Sequence, residues 1–540
     1  MPSAVHVANQ LSELTLAKLT ELLLARPFQL GRQHDLHDLA DTLLSEESIA
    51  PTLRGLSRPS LASLHAGSAG VMCRELLLTK ASGEIYPEVV ALLPTVTAHP
   101  PPAEPAIAVT DSSTMLHTVA AMRDLLAWIV DEPLPMSATG GILRAEEKTV
   151  SHNLVIPPSE AHTVVWMVER AGFARNIDRR LRITVNGAAA LDDLVGLWDA
   201  AVNAVLGMFP ASILGELRSA VRLDREFCEW VWPLRDAADT QRLEDIHHAA
   251  EMLGLVAGST TDCGRSVLAR DNSALDAIRG KSFPELLDTV YVLDDLSIIA
   301  PGPISTPAAV ALDSVSTVET RGLAAKRRLD PARILRSIAN GSTVEALLAV
   351  LAAHSLTPLT SAITSTVNDI ATNTRYVLLN GTGTDTAAKA SHPELGEMLL
   401  TDPRLQRLAP VAVDSVSILY GASRDRVEAT LIEARYTVVA SERESFLADT
   451  VPRSPIIELA ETLFEIGLGS SHLERALMVA GKTKTKVTLV IETGTGPRTI
   501  TLEPRQVANG RVRGLDTSSD VERTLPISAI LELKPAGEKP

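Results

Sequence analysis

The sequence has few of the features that mark a secreted or membrane-spanning protein. Its three cysteines, Cys73, Cys228 and Cys263, are odd in number and far apart, so we expect buried reduced thiols rather than a disulfide framework. No basic segment leads into an apolar core at the N-terminus, and the longest apolar run, Ala346 to Ala353, is far shorter than the ~20 residues of a membrane span. We therefore expect a cytoplasmic protein with no membrane partner, with association with the nucleoid as a second option.

Catalytic and cofactor motifs are also missing. The Gly481–Thr483 triplet has the end of a phosphate-binding loop, but Ala476 stands where the Walker pattern needs its first glycine. His34 and His37, like the histidine pair at 247–248, have no cysteine or third ligand nearby in the sequence, so no metal site is expected. The sequence predicts no catalytic residue and no cofactor, and we expect a protein that is not an enzyme.

Aromatic residues and positive charge are both scarce. Only 3% of the 540 residues are aromatic, and the formal net charge is -16, from 50 Lys and Arg against 66 Asp and Glu. Such a balance repels phosphate backbones and anionic lipids, which excludes a protein that coats nucleic acid along its whole surface. The length favours three or four domains at roughly 100 to 200 residues each, and a local basic site stays compatible with the average charge.

The periodicity of the apolar residues predicts a multidomain α+β protein whose N-terminal half is mainly helical. Residues 1–95 are predicted to form short helices, for which a winged-helix-like unit and a plain helical bundle are equally open. Residues 111–240 are predicted as a helical domain, and residues 241–285 as a winged-helix-like module. In the first segment Ser48 and Ser57 are predicted helix N-caps. All five tryptophans lie in the second, which predicts one large core rather than a base-stacking platform.

The most informative segment is basic. Residues 321–336 carry six basic residues against the single acid Asp330, a net charge of 6 - 1 = +5 in a chain of -16. Asp330 and Pro331 predict the N-cap and first turn of a helix, where preceding cations would oppose the macrodipole by about 0.3–1 kcal/mol each. Either an anionic partner or an acidic surface of the same chain would explain these cations. The candidate phosphate-binding residues are Arg321, Lys326, Arg327, Arg328, Arg333 and Arg336.

Further elements are predicted on both sides of this segment. Residues 287–300 are β-branched and end at Pro-Gly-Pro, which predicts a strand or hairpin. Ser342 and Glu345 predict the capping box of another helix. Residues 446–482 are predicted as connecting helices, and the period-two alternation of residues 483–540 predicts a small β-barrel or sheet. A second anion site is predicted there, at Arg505, Arg511 and Arg513.

Several stretches resemble the actinobacterial helicase-associated family. These are YVLDDLSIIAPGP, ETRGLAAKRRLDPARILRSIANGSTVEALLAVLAAHSLTPL, VNDIA and EARYTVVASE. The resemblance covers residues 240–445 and implies, for residues 286–445, an α/β domain similar to the N-terminal region of XPB-type helicases. The C-terminal stretch VTLVIETGTGPRTITLEPRQVANGRVRGLD resembles a WYL-type domain, which implies an SH3-like barrel.

The resemblance implies a DNA-binding accessory protein without its own motor. Such a protein would contact the phosphate backbone of DNA and act with an XPB-like superfamily 2 helicase in DNA repair or transcription. Two alternatives stay open. One is an adaptor that docks a helicase through its acidic surface without touching DNA, and the other is a WYL-type ligand-sensing transcription regulator.

Overall fold

The described part of the chain contains five hydrophobic cores, and we divide it into four units by position along the sequence. The computed structural model describes residues 2–31, 33–68, 70–97, 99–138, 140–322, 324–380, 385–440, 454–467, 470–493 and 496–535. We name the units by position: the N-terminal unit (2–97), the central unit (99–286), the middle unit (287–440) and the C-terminal unit (454–535). The middle unit has two cores and each of the others has one. The predicted connecting segment 446–482 lies partly outside the described residues.

The N-terminal unit is helical apart from one isolated antiparallel bridge between Thr79 and Ile85. Its helices are α1 Pro2–Ser12, α2 Leu16–Ala25, α3 Leu36–Leu43, α4 Glu46–Arg54, α5 Arg58–His65, α6 Val71–Glu75 and α7 Pro87–Leu92. Ser57 caps α5, as predicted. The prediction for Ser48 is wrong because α4 starts after Ser45, and the buried Ser48 hydroxyl instead accepts a 3.0 Å hydrogen bond from Arg26.

The central unit packs helices and short strands around one large core. Its elements are α8 Ser112–Asp131, β1 Leu134–Pro135, α9 Arg144–Leu154, α10 Pro158–Arg170, β2 Ala174–Ile177, β3 Arg180–Ile183, α11 Val185–Ala189, α12 Leu194–Leu206, α13 Ala211–Ala220, α14 Arg225–Val231, α15 Ala237–Met252, β4 Val256–Ala257, β5 Ser259–Thr260, α16 Asp262–Ala269 and α17 Asn272–Ser282. All five tryptophans lie in this core or pack against it, which confirms the prediction of one core. Helix α15 crosses the predicted boundary at 240/241, and the short β4–β5 hairpin comes before α16 and α17.

The middle unit contains two small sheets. Its elements are β6 Tyr291–Val292, β7 Ser297–Ile299, α18 Thr306–Asp313, β8 Ser316–Thr320, β9 Lys326–Leu329, α19 Pro331–Ala339, α20 Val344–His354, α21 Ser361–Asn373, β10 Val377–Asn380, β11 Thr386–Ala390, α22 Pro393–Thr401, β12 Pro410–Ala412, β13 Ser417–Tyr420, α23 Arg424–Glu433 and β14 Val438–Ala440. The first sheet has the order β6-β7-β9-β8 and the second the order β12-β13-β11-β10-β14. The antiparallel β6–β7 pair confirms the predicted hairpin.

The basic segment divides into a strand and a helix. Asp330 caps α19, as predicted, but Lys326 to Arg328 belong to strand β9 rather than to a helix start. Strand β9 pairs with β7 on one side and β8 on the other, so its backbone groups are satisfied by sheet hydrogen bonds. The predicted cap of the following helix is wrong by one residue, because Thr343 rather than Ser342 accepts the hydrogen bond from Ala346.

The C-terminal unit joins two helices to one open sheet. Its elements are α24 Pro455–Gly467, α25 Ser470–Thr483, β15 Val487–Thr493, β16 Gly496–Ala508, β17 Arg511–Asp516, β18 Val521–Pro526 and β19 Ile530–Pro535. The strand order β18-β17-β16-β15-β19 leaves β18 and β19 as edges, so the predicted barrel is not closed within the described residues. The long strand β16 pairs with β15 along its first half and with β17 along its second, with an irregularity between Pro504 and Gln506.

The structure tests the expectation that the three cysteines are buried and form no disulfide. Cys73, Cys228 and Cys263 are all buried and free, as expected.

No single helix among the described residues is long and apolar enough to cross a membrane. One pair of helices, Leu194–Leu206 and Ala211–Ala220, is together long and apolar enough for a membrane span, by length and composition only, but the pair is bent by 114°.

Candidate nucleic-acid interface

Two of the predicted phosphate-binding residues share one carboxylate of the same chain. Lys326 Nζ lies 3.1 Å from Glu319 Oε2, and the Arg328 guanidinium donates to the other oxygen of Glu319. Lys326 and Arg328 are two residues apart on β9, which puts both on one face of the strand, opposite Glu319 on β8. Hydrogen bonds from Arg328 and Lys326 hold the pKa of Glu319 below its usual value. We call Lys326, Arg328 and Glu319 the strand cluster.

Arg327 points to the other face and is buried. Its side chain is 5% exposed, and it forms an ion pair with Asp313 at the end of α18. Its Nε also donates to the Ser316 hydroxyl at 3.0 Å. Because the Arg327 guanidinium is buried between α18 and the first sheet, a phosphate cannot reach it in the folded chain.

The other members of the predicted site lie apart from the strand cluster. Arg321 precedes Gly322 in the loop between β8 and β9, whereas Arg333 and Arg336 lie on α19 and are partly buried. Arg333 makes no ion pair with any described residue. The structure therefore brings together only Lys326 and Arg328 of the six predicted residues.

The predicted second anion site repeats the arrangement of the strand cluster. Arg513 Nη2 lies 2.7 Å from Glu522 Oε2, and Arg505 Nη1 lies 3.7 Å from Glu522 Oε1. The hydrogen bond from Arg513 lowers the pKa of Glu522. Arg511 is exposed at the start of β17 and pairs with no described acid. One glutamate thus again lies between two cations, although these two lie on different strands, β16 and β17.

The loop that carries Arg321 docks onto the central unit. The Gly322 N–H donates to Asp124 Oδ2 of α8 at 2.7 Å, and the Thr306 N–H donates to Asp192 Oδ1 at the same distance. Arg123 also bridges the two units, because it donates to the carbonyls of Leu191 and Ile304. Desolvation raises the pKa of Asp124 to about 6, although the Gly322 hydrogen bond and the charges of Arg123 and Arg321 lower it.

The part of the central unit that receives this loop has a distinctive order of elements. Residues 112–183 run helix, strand, helix, helix, strand, strand as α8, β1, α9, α10, β2 and β3, and the sheet order is β1-β3-β2. A short turn at 155–157 joins α9 to α10 and begins with Val155 in the left-handed conformation. Gly322 lies beside this turn, since a Cβ added to it would be 3.8 Å from Val155 Cγ2. We call residues 112–183 the helix–hairpin unit.

The β2–β3 hairpin of this unit carries a second basic segment. Residues 170–182 hold five arginines against Asp178, a net charge of 5 - 1 = +4. Asp178 and Arg179 form the two-residue turn with φ of 51° and 59°, the type I′ geometry of tight hairpins. Leu181 and Ile183 are buried, so the alternate arginines of both strands lie on the outer face. We call Arg175, Arg179 and Arg180 the arginine hairpin.

Sequence reasoning missed the arginine hairpin. Strands β2 and β3 have four residues each, too short for a period-two pattern to be distinguished from the surrounding helices. The available signal was the local charge, because five arginines within thirteen residues are at least as dense as the six basic residues within the sixteen of the 321–336 segment. Among the described residues, no group of three or more His, Cys, Asp or Glu side chains could hold a metal ion.

The comparisons with known proteins concern the middle unit. Residues 290–414 match the family model described as the helicase conserved C-terminal domain. We call residues 290–414 the helicase-like segment. It begins just before β6 and ends between β12 and β13, so it contains the first sheet and part of the second. This match supports a helicase-associated family, while the resemblances to the N-terminal region of XPB-type helicases and to a WYL-type domain stay predictions. No curated protein matches the chain.

Proposed function

We propose that this protein is a non-enzymatic DNA-binding accessory protein that has no motor of its own and acts with a helicase in DNA repair or transcription. The observation that carries the proposal is the helix–hairpin unit, whose order of elements and strands is that of a winged helix. In helix-turn-helix proteins the second helix of the pair enters the major groove of duplex DNA. That helix here is α10, and the arginine hairpin follows it directly.

The surface of α10 suits a polar partner. Ser159, His162 and Arg170 are exposed on it, and Thr163 and Trp166 are partly exposed, while the opposite face is buried in the core. Hydroxyl, imidazole and guanidinium groups hydrogen-bond to base edges and phosphates. This face therefore offers the polar contacts that a helix in a groove requires.

The junction of the central and middle units supports a link to a helicase. The loop between β8 and β9, which is part of the helicase-like segment, contacts both α8 and the turn that precedes α10. A partner that recognises the helicase-like segment would therefore lie next to DNA bound on α10. The missing Walker motif is consistent with a motor supplied by that partner.

Fluorescence anisotropy with 20-base-pair duplex, single-stranded and forked DNA across a salt series tests the proposal. We expect duplex binding that weakens as salt rises, with a slope of log K against log salt of about -4.5 if about five phosphates are neutralised. A slope near zero, or no binding at low salt, would contradict it. A helicase complex that survives nuclease treatment, in the absence of any DNA binding, would instead favour the adaptor function.

A further inference from the structure

The arginine hairpin contains two features that oppose folding. Arg175 lies directly opposite Arg182 in the antiparallel pair, and like charges in that position destabilise a sheet. Arg179 takes a left-handed backbone conformation at φ 59°, which costs energy in any residue other than glycine. Asparagine or glycine would suit this turn better. A role outside folding would explain arginine at these positions.

Arg175, Arg179 and Arg180 also have no acidic partner among the described residues. Arg175 and Arg179 form no ion pair with any described residue, and Arg180 only donates to the Pro133 carbonyl at 3.4 Å. The strand cluster and the predicted second anion site differ, because Glu319 and Glu522 each neutralise two cations there. Of these three basic clusters, the hairpin offers its charge to an outside ligand without first breaking an ion pair.

The base of the hairpin is held rigidly. The Thr184 hydroxyl donates to the Gly172 carbonyl at 2.8 Å, and the Thr184 N–H donates to the Phe173 carbonyl at 2.9 Å. Helix α11 packs so closely on this base that a Cβ added to Gly187 would lie 2.0 Å from Phe173 O. A preorganised site loses less entropy when it binds.

We infer that Arg175, Arg179 and Arg180 bind the phosphate backbone of duplex DNA whose groove receives α10; this inference rests on the proposed function. Guanidinium groups bind phosphate oxygens in a bidentate manner. Binding of single strands without a duplex relies on exposed aromatic platforms. The nearby Trp128 and Phe173 are buried, and Trp166 is only partly exposed. The contacts available on this surface are therefore those of backbone recognition.

A triple variant, Arg175→Gln, Arg179→Gln and Arg180→Gln, tests the inference in the full-length chain. Its control is Arg74→Gln, Arg426→Gln and Arg435→Gln, three exposed arginines in other units without an acidic partner among the described residues. Both variants change the formal net charge from -16 to -16 - 3 = -19. We expect the hairpin variant to bind the 20-base-pair duplex about tenfold more weakly or worse near 0.1 M salt, with a salt slope smaller by about 2.7. The control should stay within about twofold of the wild type.

A second variant separates loss of charge from loss of structure. Lysine at the same three positions keeps the charge, so it should restore most of the salt slope. Circular dichroism melting should show no loss of stability in the glutamine variant, since Arg175→Gln removes the like-charge pair with Arg182. If the wild type binds duplex and the glutamine variant binds equally well, the inference fails while the proposed function stands. If the wild type binds no duplex, both fail. Arginine-dependent binding of polyglutamate instead of duplex would assign the hairpin to an acidic protein partner and overturn the inference.

Discussion

Glu319 and Glu522 show at the level of single residues why local charge is an incomplete guide to a binding site. Each lies seven to seventeen residues from the cations it neutralises, and the contact exists only because neighbouring strands bring them together. Sequence patterns predicted an interaction correctly where both of its partners are close together in the sequence. The N-caps Ser57 and Asp330 could be predicted, because a cap is formed within one helical turn. Ser48 could not, because its role depends on Arg26, which is distant in sequence.

Asp124 is expected to make stability depend on pH. Its pKa is about 6 in the folded protein against a usual value of 3.8, so between these values the folded state binds a proton that the unfolded state has lost. Stability should therefore decrease as pH rises from about 4 to about 6, by up to about 3 kcal/mol from this group. Asp124→Asn keeps an acceptor for the Gly322 N–H, removes the charge and should stabilise the junction above pH 6.

The melting midpoints of the wild type and Asp124→Asn, measured from pH 4 to pH 8, give the test. The difference between them should be near zero at the acid end and should grow until pH passes the raised pKa. The charged groups that face Asp124 are Arg123 and Arg321, which are protonated throughout this range. A difference that is constant with pH would show that the carboxyl of Asp124 does not titrate in this range.

At the level of elements, helices were easier to predict than short strands. The helix after Asp330 has a cap, a proline in its first turn and a clear apolar stripe, and α19 is present as predicted. Strands β2, β3 and β9 have only four residues each. Their conformation is decided by the neighbouring strands they pair with, which a local pattern does not contain. For this reason Lys326 to Arg328 were assigned to a helix start, and the arginine hairpin was missed.

The pairing of β8 with β9 suggests a test of whether the strand cluster contacts DNA. Glu319→Gln would remove the carboxylate of β8 that neutralises Lys326 and Arg328 on β9. If DNA reaches this strand, duplex affinity should rise a few-fold and the salt slope should steepen by up to about 1.8, because two cations become available. Anisotropy titrations across salt, with the same duplex, measure both quantities.

The matched control is Glu397→Gln on α22, an exposed glutamate that forms no ion pair with a described residue. It changes the net charge by the same amount but releases no cation. Equal binding by Glu319→Gln and Glu397→Gln would mean that the strand cluster makes no contact with DNA, and that its charges serve only to pair β8 with β9.

At the level of the whole molecule, the chain brings its C-terminal part back to its first helices. Ala460 and Leu463 of α24 are buried in the core of the N-terminal unit. Arg475 of α25 lies 3.3 Å from Asp35 and 3.6 Å from Asp38. No pattern in the sequence predicted this arrangement, because a helix with an apolar stripe can bury it against any complementary surface. The open C-terminal sheet was overstated as a barrel for a similar reason, since alternation predicts strands but not closure.

Leu463→Ala should destabilise the N-terminal unit although it lies more than 350 residues from it in sequence. A buried leucine replaced by alanine typically costs about 2–5 kcal/mol. Hydrogen exchange followed by mass spectrometry should show faster exchange in helices α1 to α4. Leu477→Ala, which removes a leucine from the core of the C-terminal unit instead, should leave those helices protected. Equal exchange of α1 to α4 in both variants would contradict the shared core.

The shared core also has a consequence for the time course of synthesis. Helices α1 to α7 are translated before the other three units, but two of their buried partners are made only when translation reaches Ala460 and Leu463. At about 5–20 residues per second, this delay lasts roughly 20 to 70 s. During that interval the apolar surface that α24 later covers is exposed on the nascent chain. The N-terminal unit is therefore translated before the other three units, but its core is completed only after the central and middle units have been made.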